Sequence, residues 1–143
     1  MPLLNQERWP LAVRYVKFCL VGASGVLVDL AVLYLLVSPQ PSPLRLSLSK
    51  AVAAEMAILN NFTWNELWTF RSSAAQPRTL AGLAQRLLRF NVISLSGVLL
   101  NVALLNAQVY LLHWNLYVAN LLAIGLVSIW NFALSARFGW KVR

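Results

Sequence analysis

The stretch RYVKFCLVGASGVLVDLAVL, residues 14–33, decides the fold of this chain. After its basic start it continues as an apolar segment, and an apolar helix of about 20 residues crosses the roughly 30 Å hydrocarbon core of a bilayer. Residues 86–105, RLLRFNVISLSGVLLNVALL, repeat the stretch at an offset of 72 residues, so that Ser-Gly-Val-Leu falls on Ser-Gly-Val-Leu. Two copies of one membrane-crossing unit are therefore predicted.

The rest of the chain extends this pattern to four apolar spans. They are predicted near residues 15–37, 49–70, 88–111 and 117–137. Residues 38–48 contain three prolines, which cannot continue a helix, so the chain is expected to leave the membrane there. Residues 80–88 are amphipathic and are expected to lie along the membrane interface.

A second alignment pairs the later part of each unit. At an offset of 70 residues, Asn61-Phe62 falls on Asn131-Phe132 and Arg71 on Lys141. The chain is interpreted as a single membrane domain over residues 1–143, with one repeat at about 14–71, a second at about 86–141 and a cytoplasmic connector at 72–85. Because each repeat has an even number of spans, both copies enter the membrane from the same side. The predicted fold is an all-α integral membrane protein with four transmembrane helices, arranged as two parallel-repeat helical hairpins.

Composition excludes several classes of protein. Hydrophobic residues make up 59% of the chain, charged residues 11%, and the mean hydropathy is +0.65, which is incompatible with a water-soluble domain. The net charge of +8 would favour nucleic acid on a polar chain, but here it favours anionic lipids. One cysteine and one histidine leave no basis for a metal site, and no nucleophile–base set is visible. No enzyme activity, cofactor or nucleic acid is expected.

The distribution of basic residues predicts the orientation. With both termini in the cytoplasm, ten Lys and Arg lie inside and two, Arg45 and Lys50, lie outside. The ten are Arg8, Arg14, Lys17, Arg71, Arg78, Arg86, Arg89, Arg137, Lys141 and Arg143.

Polar residues within the spans are the candidates for function. A charged side chain at the centre of a membrane helix costs about 2.5–3.5 kcal/mol on insertion scales, so Asp29 and Glu55 require an explanation. They could bind sugar hydroxyls or couple to protons, or they could form an interhelical hydrogen bond or a salt bridge with Lys50 or Arg45. Asn61 and Asn101 belong to polar stripes, which fit either helix packing or a hydrophilic groove.

Basic residues end the helices on the predicted cytoplasmic side. Arg holds phosphate through two parallel hydrogen bonds, so Lys17, Arg71 and Arg89 are candidate phosphate ligands, near Arg137 and Lys141. Topology and attraction to anionic lipids would account for the same residues.

Several motifs together resemble a known family. They are Phe18-x-x-Val21-Gly22, Asn61-Phe62 followed by Trp68-x-Phe70, and a second copy ending NFALSARFGWK at 131–141. They are similar to the GtrA-like family of small four-span bacterial membrane proteins. The resemblance implies a flippase of the bacterial inner membrane. It would move a polyprenyl-phosphate-linked sugar from the cytoplasmic to the periplasmic leaflet, where a membrane glycosyltransferase uses it in cell-surface polysaccharide modification.

On this hypothesis the residues divide into two sets. Lys17, Arg71 and Arg89 contact the lipid phosphate, and Asp29, Glu55, Asn61 and Asn101 line the sugar route. Because four helices are too few to shield a sugar, a homodimer or larger assembly is expected. Two alternatives remain open: a scaffold subunit that recruits a membrane glycosyltransferase, and a small proton-coupled exporter of cations or drugs.

Overall fold

The computed structural model describes residues 10–37, 39, 42–73 and 79–142. These residues belong to two compact units, Met1–Ser72 and Ser73–Arg143, and each unit is a helical hairpin. The first hairpin pairs α1, Leu11–Leu36, with α2, Pro43–Trp64; the second pairs α3, Leu80–Asn106, with α4, Leu116–Leu134. Three residues used for the predicted orientation, Arg8, Arg78 and Arg143, lie outside the described residues.

Polar side chains cap the first turns of α2 and α3. Ser42 Oγ accepts a hydrogen bond from the Arg45 amide, and Pro43 occupies the first turn of α2, where its missing N–H costs nothing. The helix α2 therefore begins inside the segment 38–48, six residues before the predicted span at 49. Thr79 caps α3 in the same way, through the Gly82 amide. The amphipathic segment 80–88 is thus the first part of α3 rather than a separate interfacial helix.

Three of the helices end in a wider π-helical turn. These turns are Asn65–Thr69 after α2, Ala107–Leu111 after α3 and Ser135–Gly139 after α4. The amides of Phe70 and Trp140 each bond the carbonyl five residues earlier, at 2.9 Å. The π turn adds one residue to the last turn, and such turns recur at functional sites of helical proteins.

In each hairpin an edge-to-face aromatic pair joins the first helix to the residue that follows the π turn at the end of the second helix. Phe18 meets Phe70 with ring centroids 6.4 Å apart, and Phe90 meets Trp140 at 5.8 Å. Phe70 and Trp140 are almost fully buried. Each pair contributes about 0.5–1.5 kcal/mol beyond its buried area, so the π turns are held firmly against α1 and α3.

Burial in both hairpins is that of a membrane protein. Large apolar side chains such as Leu27 and Leu121 are exposed, whereas Ala53 and Ala123 are fully buried where the helices meet. Small interfacial residues allow close helix approach in lipid, which has no hydrophobic force to drive association. Among the described residues, three helical stretches are long and apolar enough to cross a membrane: Leu11–Leu36, Leu80–Leu111 and Leu116–Gly139.

The second helix differs from these three in composition. It is long enough, but Lys50, Glu55, Asn60 and Asn61 lie along it and make it less apolar. The all-helical membrane architecture is thus established. A fourth span and the orientation of the helices remain predictions.

Candidate functional site

An asparagine packed on a glycine forms the centre of each hairpin. Gly25 on α1 lies directly against Asn61 on α2, and a Cβ atom built on Gly25 would lie 2.7 Å from Asn61 Cγ. In the second hairpin a Cβ on Gly97 would lie 2.9 Å from Asn131 Cγ. Only glycine leaves room for the amide at these two points, so the Ser-Gly and Asn-Phe motifs meet in space.

A serine next to each glycine adds a polar link. Ser24 Oγ donates to the Val21 carbonyl at 2.7 Å and accepts from Asn60 Nδ2 at 2.9 Å. In the second hairpin Ser96 Oγ donates to the Ile93 carbonyl and accepts from Trp130 Nε1 at 3.1 Å. The donor differs between the hairpins but the geometry is retained. Hydrogen bonds of this kind contribute modestly to helix association in membranes, by about 0.6–2 kcal/mol.

The basic end of the first hairpin is partly buried. The Arg14 guanidinium is 5% exposed and donates from Nη2 to Ser72 Oγ at 3.0 Å, which joins the start of α1 to the segment after the π turn. Lys17 is 9% exposed, and its ammonium lies 4.9 Å from the centre of the Trp68 ring. A cation over a Trp face at this distance is attracted to the ring.

The basic end of the second hairpin is more open. Arg86 is 2% exposed and stands where Arg14 stands in the first hairpin. Arg89, which stands where Lys17 does, is exposed and donates from Nη1 to the Phe138 carbonyl at 3.4 Å. Arg137 and Lys141 are also exposed.

The comparison with protein families places these features in context. Residues 17–140 match the GtrA/DPMS transmembrane domain. The chain belongs to this family. The resemblance inferred from the motifs is thereby confirmed, as is a multi-pass membrane protein. The matched range contains the Gly–Asn contacts and both aromatic pairs. The residues that pack each hairpin therefore lie within the GtrA/DPMS domain.

One curated relative matches most of this GtrA/DPMS chain. The chain is 34% identical over 132 residues to a protein named dolichol-phosphate mannosyltransferase from Pyrococcus furiosus. The match covers 89% of this chain but only 34% of the relative. The chain therefore spans about one third of the length of the relative it matches.

The three predicted phosphate ligands of the GtrA/DPMS domain have different surroundings. Arg71 and Arg89 are exposed, whereas Lys17 is buried beneath Trp68. Lys17 and Arg71 belong to the first unit and Arg89 to the second. Within the first hairpin, Lys17 and Arg71 lie at the same end, on either side of the Phe18–Phe70 pair.

The four predicted sugar-route residues are divided between the hairpins. Asp29 forms a salt bridge with Lys50 at 2.5 Å, one of the pairings that the sequence left open. Asn61 packs on Gly25, and Glu55 is exposed on α2. The fourth, Asn101, lies on α3 of the second hairpin, and its Oδ1 is buried with no hydrogen-bond partner among the residues that the structure describes.

Buried acceptors are concentrated at the π turns. Within the described part of the chain, five more side-chain oxygens are buried without a hydrogen-bond partner: those of Asn65, Thr69, Gln108, Asn131 and Ser135. Asn65, Thr69, Gln108 and Ser135 lie in π turns. Helical spacing in the sequence already places Asn65, Gln108, Asn131 and Ser135 on the polar stripes of their helices, whereas nothing in the sequence singled out Thr69. The chemistry they offer is acceptance from water or from a hydroxyl group.

Proposed function

We propose that this chain is a flippase that moves a polyprenyl-phosphate-linked sugar from the cytoplasmic to the periplasmic leaflet of a bacterial inner membrane. There a glycosyltransferase uses the sugar in cell-surface polysaccharide modification. The observation that carries the proposal is the match to a membrane domain whose curated relative is named for mannosyl transfer and dolichol phosphate. Dolichol phosphate is itself a polyprenyl phosphate. The chain itself is proposed to be non-catalytic, because its matched part is the membrane domain.

The proposed arrangement has four spans, with both termini in the cytoplasm. The Asp29–Lys50 salt bridge supports the crossing of α2, because a paired charge costs less in the membrane than an isolated one. In this orientation the basic ends of both hairpins lie at the cytoplasmic surface, where the lipid phosphate is first met. The carboxylates and amides then lie toward the periplasmic side.

Within this arrangement the candidate phosphate ligands are Lys17 and Arg71 at the basic end of the first hairpin and Arg89 at that of the second. The proposed sugar route is lined by Asp29, Glu55, Asn61 and Asn101. A sugar is polar, and transferring each unpaired hydroxyl into hydrocarbon costs several kcal/mol. Amide and carboxylate acceptors reduce that cost. Two or more copies of the chain are proposed to enclose the route, with anionic lipids around the basic ends.

The test is the leaflet accessibility of a polyprenyl-phosphate sugar in proteoliposomes. We expect exchange well above that of empty liposomes for the unchanged protein. We expect about tenfold slower exchange for Asp29→Asn, because the loss of one charge-assisted hydrogen bond to a hydroxyl corresponds to roughly that factor. Exchange no faster than in empty liposomes, with folded protein and several sugars, would contradict translocation.

A matched variant separates the charge of Asp29 from its pairing. Asn101 and Asn120 occupy the equivalent positions in the second hairpin. Asp29→Asn/Lys50→Asn therefore copies a pair that the chain already contains. It also removes the lysine that Asp29→Asn alone would leave without its carboxylate. If Asp29 contacts the sugar, the double variant stays as slow as the single one. Recovery in the double variant would show that Asp29 serves only to neutralise Lys50.

A scaffold role is the second candidate, and one observation favours it. The curated relative is about three times the length of the match, so its membrane domain is joined to a much longer chain. A separate domain of this type could hold a glycosyltransferase in the same manner. In that case copurification with a glycosyltransferase of the same membrane would survive Asp29→Asn/Lys50→Asn, and no exchange would be seen. The basic ends make a cation exporter the weaker alternative.

A further inference from the structure

The two hairpins carry different charge at their basic ends. Where the first hairpin has Glu66 and Leu67, the second has Ala136 and Arg137 at the equivalent positions. Ala136 is buried and Arg137 is exposed. The π turn Ser135–Gly139 therefore lacks the acid of the turn Asn65–Thr69 and carries a cation instead.

Access to the cations differs as well. In the first hairpin Lys17 is buried against Trp68, so moving it to a ligand would sacrifice the cation–π contact. In the second hairpin Arg89 is exposed, and its bond to the Phe138 carbonyl places the guanidinium next to the residue that follows Arg137. That bond uses one of the five N–H donors of the guanidinium, and a side chain this exposed can turn its other donors toward a ligand.

Lys141 stands where a lysine is unfavourable for the backbone. Its φ is 49°, in the left-handed region that glycine adopts most easily, and the Val142 amide closes the helix end on the Ala136 carbonyl at 2.7 Å. Glycine is the common residue at this position of a helix end. A lysine here keeps a cation beside the π turn at the expense of backbone strain, and strain of this kind clusters at functional sites.

We propose that the second hairpin holds the lipid phosphate, through Arg89, Arg137 and Lys141. This inference rests on the proposed function and selects among its candidate ligands: it keeps Arg89 as a phosphate contact and does not keep Lys17 and Arg71. Three exposed cations exceed the partial charge of about −0.5 at the carbonyl end of a helix, so the net field attracts an anion. Arg side chains hold phosphate oxygens in pairs of parallel hydrogen bonds, and Lys adds a point charge. The ligand is a lipid phosphate group, carried by a polyprenyl phosphate or by an ordinary anionic phospholipid.

The test uses the repeat as its own control. Arg89→Gln/Lys141→Gln and Lys17→Gln/Arg71→Gln remove two positive charges each, from equivalent positions of the two hairpins. Lipid binding is measured by native mass spectrometry on the full chain. The probes are a polyprenyl monophosphate, phosphatidylglycerol and the uncharged polyprenol.

We expect the second-hairpin pair to lose about tenfold or more in affinity for the polyprenyl monophosphate, and the first-hairpin pair less than about threefold. The uncharged polyprenol should bind both variants equally. Equal losses for the two pairs would overturn the assignment. A phosphatidylglycerol affinity as high as that of polyprenyl monophosphate would assign the site to general anionic lipid. No binding of polyprenyl monophosphate to the unchanged protein would instead contradict the proposed function itself.

Lys141→Gly separates binding from folding. Glycine relieves the left-handed backbone, so this variant should unfold at the same temperature as the unchanged protein or a higher one, while its affinity for polyprenyl monophosphate falls about threefold or more. Arg71→Gln, the equivalent exposed position, should leave that affinity within about twofold. Unchanged affinity in Lys141→Gly would contradict a phosphate contact at this residue.

Discussion

Alanine at Gly25 is expected to destabilise the first hairpin by about 1–3 kcal/mol, the usual cost of overpacking a close contact. The new methyl group would occupy the position of the Asn61 amide, and Asn61 Cγ itself would be only 2.7 Å away. Because Cγ is one bond from Cβ, turning the amide about its own axis does not relieve the clash. The whole side chain must leave its rotamer or the helices must separate.

The measurement is the unfolding transition in mixed micelles, followed by far-UV circular dichroism. Gly22→Ala is the matched control, since a Cβ built there meets no atom of the other described residues within 4 Å beyond the neighbouring backbone of its own helix. It removes a glycine from the same helix and should be neutral or slightly stabilising. Gly25→Ala/Asn61→Ala should recover part of the loss, because the second change empties the space that the methyl group needs. Equal stability of Gly25→Ala and Gly22→Ala would contradict the packing described here.

The second hairpin provides an independent repeat of this experiment. Gly97→Ala should behave as Gly25→Ala does, with Asn131 as the clashing side chain. Gly125, which has open space around it, is the control. An effect at Gly25 without one at Gly97 would show that the two contacts are not equivalent in energy.

Loss of a buried guanidinium is the second large effect. Arg14→Leu and Arg86→Leu are each expected to cost about 1.5–3 kcal/mol, the contribution of hydrogen bonds to a charged group. Arg14 holds Ser72 at 3.0 Å, so its loss frees the end of the first hairpin beyond the π turn. Arg86 is 2% exposed, and its aliphatic part fills space that leucine fills only in part.

Exposed arginines provide the comparison for this prediction. Arg71→Leu and Arg89→Leu remove the same charge at the same end of each hairpin, so they control for the effect of charge on membrane orientation. Both should change the unfolding midpoint little, because surface substitutions usually lie within about 0.5 kcal/mol. Arg14→Leu and Arg86→Leu as stable as these two would contradict a structural role for the buried pair. Arg14→Lys should recover little, since an ammonium lacks the planar set of donors.

These results would separate two kinds of basic residue at the basic end of each hairpin. Counting positive charge treats all of them as signals of orientation. The structure divides them into buried residues that join helices and exposed residues that can meet a ligand. The same division applies to the asparagines: Asn61 and Asn131 pack on glycine, while Asn101 leaves a buried acceptor unpaired among the described residues.

Much of the molecule follows from the sequence alone. The apolar runs predict membrane helices because only a helix satisfies its own backbone in hydrocarbon. The motifs Phe18-x-x-Val21-Gly22 and Asn61-Phe62 with Trp68-x-Phe70 identify the family. Both are local properties, readable residue by residue.

Tertiary structure decided what distance along the chain cannot reveal. In the folded chain Asn61 packs on Gly25, and Asp29 forms a salt bridge with Lys50. Lys17 lies against the Trp68 ring, whereas Arg89 is exposed. Tertiary structure also placed π turns where a regular helix was expected, which turned Asn65 and Thr69 into the interior. The physical reason is that each of these outcomes depends on which side chain of one helix meets which side chain of another. A period of 3.6 residues indicates the face that a residue occupies, whereas contact between two helices decides what that face touches.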